Sequence, residues 1–194
     1  MNRLLLILIL TLSFQTLTKA DDIRDFEIEG MSIGDSALDF FSKKEIKDNK
    51  WEYPDKKFYR VQNDGYDFFK IYDAIDLHYK SNDSKYIIHS ISGILFYTNN
   101  IEKCYSKMNQ IIKEINNTFS KKVTMSDKVT FKHSNPKNID GKSIVTQVSF
   151  TFPNGDDIDI ACYDYSKIHG SQDHLNLKIA TQYFDDWLNT KAYK

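Results

Sequence analysis

From Phe69 the odd positions read Phe69, Ile71, Asp73, Ile75, Leu77 and Tyr79, while the even ones include Lys70, Asp76, His78 and Lys80. A period of two with one apolar face predicts a strand over residues 69–79. Ser81, Asn82, Asp83 and Ser84 favour a turn through side-chain bonds to their own backbone, and a second β-rich run follows over residues 86–97. Gly93 inside that run predicts a bulge or a close backbone approach. At Asn99 the period changes to 3.6: Ile101, Cys104, Tyr105, Met108, Ile111, Ile112, Ile115 and Phe119 fall on one stripe, with Glu102, Lys103 and Lys113 off it. Asn99 with Glu102 three residues on predicts a capping box at the start of this helix.

The flanking chain reads in the same way. Ile23 to Glu29 alternates Phe26 and Ile28 with charge and predicts a short edge strand. Ser32 or Asp35 opens a helical stretch that puts Ala37, Leu38 and Phe41 on one face, and Ser42 with Glu45 forms a second capping box that splits it in two. Residues 48–57 read as a loop around Pro54, residues 58–62 as a strand, and Asn63-Asp64-Gly65 as a tight turn. After the central helix come a connector, a strand over residues 128–133 and a loop around Pro136. A hairpin follows, with Ile144, Thr146, Val148, Phe150 and Phe152 on one arm and Ile158, Ile160 and Cys162 on the other. Residues 166–172 form a polar loop, Leu175, Leu177 and Ile179 a last strand, and Thr181 caps a terminal helix with Phe184, Trp187 and Leu188 inward. Hairpin-length links and a few helices predict a single α+β domain over residues 21–194: two layers, an antiparallel sheet with helices on one face. Both halves read as a helix followed by hairpins, which suggests a duplicated unit, although no residue-level repeat accompanies it.

Arg3 precedes a largely apolar run over residues 4–14, and a polar tail ends at Ala20. That run is too short to span a bilayer and suits a secretory signal peptide over residues 1–20, so the mature chain is expected in the periplasm or secreted, with no membrane attachment once the signal is removed. Removal takes Arg3 and Lys19 from 26 basic residues and leaves all 27 acidic ones, a net charge of −3. A mildly acidic chain without a basic cluster argues against nucleic acid as partner. Two cysteines in an exported chain are most simply one disulfide, here Cys104 to Cys162, each on an inward face.

Two constellations are candidates for chemistry. If Asn82 and Asp83 centre the first turn, Asp76 lies opposite His89 with His78 on the same face, a set able to hold a metal or orient a base. Asp164, Tyr165, His169, Asp173 and His174 gather in and around the 166–172 loop, where binding sites are commonly built. Tyr53, Tyr59, Tyr66, Tyr72 and Tyr86, from a chain with 12 tyrosines, suggest an interaction surface on the open sheet face. There is no phosphate-cradling glycine loop, Cys-x-x-Cys, His-Glu-x-x-His or Gly-x-Ser-x-Gly, so no cofactor and no catalytic residue is assigned.

Gly30-Met31-Ser32 followed by a helical stretch resembles the start of small envelope-assembly lipoproteins over residues 30–48, without their lipidated cysteine. The Cys162-Tyr163-Asp164-Tyr165-Ser166-Lys167 to Asp173-His174-Leu175 segment, in a Lys-, Asn- and Ile-rich chain, resembles small exported proteins of marine alphaproteobacteria, which implies a periplasmic address and no particular activity. The expectation is a non-enzymatic binding module for a protein, peptide or glycan. The alternative is a small metal-dependent or hydrolytic enzyme built on the histidines and carboxylates.

Overall fold

The computed structural model describes residues 22–65, 69–98, 100–119, 122–134 and 138–194. The expected signal peptide, the caps and turns assigned to Asn99 and Pro136, and Tyr66 lie outside the described residues. The elements are α1 (Lys43–Asp48), β1 (Lys50–Glu52), β2 (Phe58–Asp64), β3 (Ala74–Lys80), β4 (Ile88–Phe96), α2 (Ile101–Phe119), β5 (Thr124–Met125), β6 (Val129–Lys132), β7 (Ile144–Thr151), β8 (Asp157–Asp164), β9 (His174–Ala180) and α3 (Gln182–Thr190). Among the described residues nine strands form one open antiparallel sheet in the order β1-β2-β3-β4-β9-β8-β7-β5, with β6 also paired to β7. The class is α+β, as the strand and helix periods require.

Alternation decides which face each side chain takes. Val61 of β2, Ile75 and Leu77 of β3, Ile158 and Ile160 of β8, and Leu177 and Ile179 of β9 share one buried core with Cys104, Met108, Ile111, Ile115 and Phe119 of α2. The amino-terminal segment adds Ile23, Met31, Phe41 and Ile46 to the same layer. Ser42 and Glu45 make the expected reciprocal box at the start of α1. Asn100 Oδ1 accepts from the Lys103 amide at the start of α2. Cys104 and Cys162 are joined, with Cα atoms 6.0 Å apart, which ties α2 to β8.

Several local expectations change. Asn63 and Asp64, read as part of a tight turn, continue β2 opposite Ile75 and Ala74. Residues 23–25 form a single turn of 3-10 helix in place of an edge strand, because Asp22 and Asp25 make a reciprocal capping box at its start. Residues 50–52, read as loop, make the edge strand β1 against β2. Strand β3 begins at Ala74 and not at Phe69: the Glu29 carboxylate accepts from the amides of Lys70, Ile71 and Tyr72 at 2.9, 2.6 and 2.9 Å. Those amides are thereby unavailable to a ladder. The terminal helix α3 lies over the face opposite α2, where Phe184 and Trp187 form a second cluster with Tyr53, Phe58, Ala180 and Ala192.

In the order β2-β3-β4-β9-β8-β7 two three-stranded meanders meet at β4 and β9, each followed by a helix, a connectivity that a two-fold normal to the sheet would produce. The duplication holds for this connectivity alone. A two-fold of that kind keeps each helix on its own face, and α2 and α3 occupy opposite faces.

Gly93 is a close approach. A Cβ there would sit 2.5 Å from the Tyr72 ring. Gly93→Ala is expected to cost roughly 1–3 kcal/mol through overpacking, read by urea denaturation. Replacing both cysteines by serine is expected to lower the unfolding free energy by about 4 kcal/mol, the chain-entropy value for a loop of this length. Equal denaturation midpoints for the oxidised and serine forms would show that the bridge adds nothing to stability.

Candidate functional site

The second face of the sheet carries the polar half of the alternation. Its floor is built from Arg60 and Gln62 of β2, Asp76 and His78 of β3, Ser90 and Ser92 of β4, Asn176 and Lys178 of β9, and Asp157, Asp159 and Tyr163 of β8. Polar side chains on central strands are ordinarily solvated. Here Asp76, His78, Ser90 and Ser92 are buried, because α3 and the chain end fold over them as a wall. Two cavities of about 730 and 710 Å³ open along this face, and both are lined by Arg60, Asp76, Tyr163, Asn176 and Tyr193. They are therefore two ends of one trough. Each is within the range of about 300–1,000 Å³ common for small-ligand sites.

The charges of the floor are matched in pairs and clusters. Arg60 Nε lies 2.7 Å from both Asp76 oxygens, and its Nη2 donates to Gln62 Oε1 at 3.0 Å. Burial pushes the Asp76 carboxyl above the usual carboxylate range while Arg60 pulls it back. The close contacts to both oxygens are those of an ion pair, so Asp76 owes its charge at neutral pH to Arg60. Lys178 Nζ sits 2.8 Å from Asp159, 2.7 Å from Asp185 and 3.9 Å from Asp157. Burial works against the ammonium, and the three carboxylates more than offset it, holding the lysine charged. Asp159 also accepts from Ser149 and Gln147.

Asp157 Oδ1 and Asp185 Oδ2 are buried acceptors without a donor. The two carboxyls lie within hydrogen-bond reach of each other, and burial followed by that contact drives the Asp157 carboxyl far above its ordinary range. A proton kept on Asp157 can be donated to the Asp185 carboxylate. A native pKa raised in this way stabilises the fold fully below the ordinary carboxylate range and loses that contribution as pH rises through the native value. Asp157→Asn, whose amide takes the proton's place, is expected to gain on the wild type by about 1 kcal/mol per pH unit as pH rises from 5 toward the native value, read by chemical denaturation. Parallel curves for the two proteins would show that Asp157 keeps no proton in the fold.

The predicted set Asp76, His78 and His89 is separated. Asp76 pairs with Ser92 and His78 with Ser90, and the register slips between His78 and Tyr79. His89 is the extra residue of that bulge, since Tyr79 next pairs with Ile88. Its ring turns to Phe58 and Tyr183, 5.4 and 6.0 Å away. The hairpin loop is longer than expected because Asp83 accepts from the amides of Lys85 and Ile87. His78 meets Tyr53 Oη through Nε2 at 2.9 Å. Burial, then the positive Arg60 and Lys178, hold its pKa well below the ordinary value, so it is neutral. Among the described residues no three histidine, cysteine or acidic side chains are grouped to hold a metal ion.

The loop set is divided between the trough and its scaffold. Tyr163 stacks on His174 at 4.5 Å and Tyr165 on His169 at 4.4 Å, with His133 edge-on to Tyr165 and His169 at 5.3 and 5.6 Å. His174, Tyr165 and His133 line the trough. His174 Nδ1 meets the Gln172 carbonyl at 3.0 Å, so Nδ1 carries the proton and Nε2 is left as an acceptor. Burial lowers the His174 pKa and keeps it neutral. His169 is 7% exposed and neither ring nitrogen has a hydrogen-bond partner. Asp173 is scaffold: its carboxylate accepts from the Tyr165 amide and its carbonyl from the Tyr97 amide, both at 2.8 Å. Asp164 lies on the strand face that carries Cys162, where burial and then Asp173 and Glu102 push its carboxyl up.

The tyrosine surface also differs. Tyr59, Tyr72 and Tyr86 pack against the α2-side core, and of the expected residues Tyr53 lies at the trough. Sequence reasoning missed Arg60, Lys178, Asp157, Asp159, Asp185 and Tyr193. The available signal was a single charge set between apolar neighbours in a strand, as in Leu177-Lys178-Ile179 and Ile158-Asp159-Ile160. Among the described residues no helix is long and apolar enough to cross a membrane.

No protein-family model matches the chain, and a search of curated proteins gives no match. Among solved structures the chain is similar to the solution structure of cyanobacterial PsbP (CyanoP) from Synechocystis sp. PCC 6803, at 5% identity over 73% of this chain and 84% of that one. The TM-score is 0.34, and a likeness at that level carries no argument.

Proposed function

We propose that the chain is an exported, non-enzymatic binding protein whose ligand lies in the trough on the polar sheet face. The trough carries this reading: two cavities of ligand size run together across the central strands, walled by a helix and floored by side chains that hold one another in place. Preorganised groups of this kind lose little further freedom when a ligand arrives. The Cys104–Cys162 bridge supports export, since such bonds persist in oxidising compartments. The loop histidines contribute as part of one wall, through His174 and His133.

Crystals of the oxidised protein soaked with a general fragment library test the reading. Bound fragments are expected to gather between Trp51, Arg60, Tyr163 and Tyr193. Fragments gathering instead in the smaller cavities lined by Tyr59 and Tyr86, or by Phe26 and Tyr72, would overturn it.

A further inference from the structure

Three properties of the trough restrict what it can hold. The first is charge. Arg60 is engaged by Asp76, and Lys178 by Asp159, by Asp185 and, at 3.9 Å, by Asp157, so neither cation is left free for a ligand. A charged ligand would surrender its hydration there and meet groups already engaged, an exchange that costs free energy. An uncharged ligand avoids that cost.

The second is the kind of hydrogen bonding on offer. A peptide docked as an added strand needs a free backbone edge. Here β2, β3, β4, β9, β8 and β7 are each paired on both sides, so the trough offers side chains alone. Arg60 and the Trp51 indole are donors, Gln62 has both functions, His174 Nε2 accepts, and the tyrosine hydroxyls do either. Hydroxyl groups, each one donor and two acceptor sites, match such a mixed set better than any group with a single function.

The third is the exposed aromatic surface. Trp51 is 46% exposed at one end, Phe96 37% exposed at the other, and Tyr193, 70% exposed, borders both cavities. Ring faces left to water at both ends and at the middle of a polar trough suit a ligand with alternating apolar and polar surfaces. A pyranose ring is such a ligand, with a face of C–H groups and a rim of hydroxyls. The two-cavity length requires more than one of them.

We infer that the trough binds an uncharged oligosaccharide, whose C–H faces rest on Trp51, Tyr193 and Phe96 while its hydroxyls meet Arg60, Gln62 and His174. This rests on the reading of the trough as the ligand site. The test is isothermal titration of the full oxidised protein with cellohexaose, maltohexaose and chitohexaose, extended by an array of neutral glycans. Oligogalacturonate and hexalysine serve as the anionic and cationic probes. At least one neutral oligosaccharide is expected to bind, at least tenfold more tightly than its own monosaccharide. Trp51→Ala and Tyr193→Ala are each expected to weaken it at least tenfold with thermal unfolding unchanged. Tighter binding of a charged probe, weakened by the same two substitutions, would overturn the sugar assignment and leave the trough as the site. Silence from every neutral glycan would also overturn it. Neutral-glycan binding that both variants retain in full would place the sugar elsewhere and overturn the inference and the trough reading together.

Discussion

Six central strands with apolar side chains on one face and mostly polar or charged ones on the other restrict how the sheet can be covered. The helix α2, with its one apolar stripe, can cover only the apolar face. The opposite face has no comparable apolar layer to draw cover from, so its charges must be satisfied by water or by each other. Curled beneath α3 they lose much of the water, and Arg60 with Asp76, and Lys178 with its carboxylates, are the result. The trough is thus a consequence of how the core is made. The Cys104–Cys162 bridge reinforces the arrangement from the other side, fixing α2 over β8, the strand that carries Asp157, Asp159 and Tyr163 into the trough.

Burial and the two cations of this face also explain why His78 is neutral. An imidazolium at position 78 would add a third positive charge near Arg60 and Lys178 in a place with little water. Tyr53 meets its Nε2 instead, and Phe184 packs on the ring at 4.5 Å. Burial, and then the hydrogen bond with Asp185, likewise favour a proton on Asp157, which lessens the negative charge gathered around Lys178 in a half-closed space. Protonation state and shape are set together, and a fixed set of donors and acceptors is what a selective binding surface requires.

Local periodicity made most of the fold legible. The α2 stripe, the Ser42–Glu45 cap, the β7–β8 hairpin and the alternation in β9 depend on neighbours within a few residues, and each is where the sequence places it. Apart from the 23–25 turn, which its own neighbours cap, the misplaced elements depend on distant partners. Glu29 removes the amides of residues 70–72 from a strand, and the bulge at His89 undoes a register reckoned from the turn. The candidate site was legible to the same extent. Tyr165, His169 and His174 come together because the loop that carries them is short, whereas Arg60, Asp76, Lys178 and Asp185 belong to four elements. Only the strand order β2-β3-β4-β9-β8 makes them neighbours, and no spacing in the chain encodes it.

The broken symmetry of the helices completes the account. The two meanders are connected as a two-fold would connect them, and a helix after β9 that obeyed it would join α2 on the apolar face and leave the polar one flat. Thr181 caps α3, the Asp156 carboxylate accepts from the Gln182 amide, and Asp55 receives the Trp187 indole N–H. These three contacts turn the helix onto the polar face. Its own apolar pair, Phe184 and Trp187, finds Phe58 and Tyr53 there, a small apolar island at one end of an otherwise polar surface. Because the island is at the end, α3 forms a wall and leaves the middle open. A flat sheet face becomes a trough through the placement of nine residues, and Asp185 on that helix closes the charge network that makes the floor rigid.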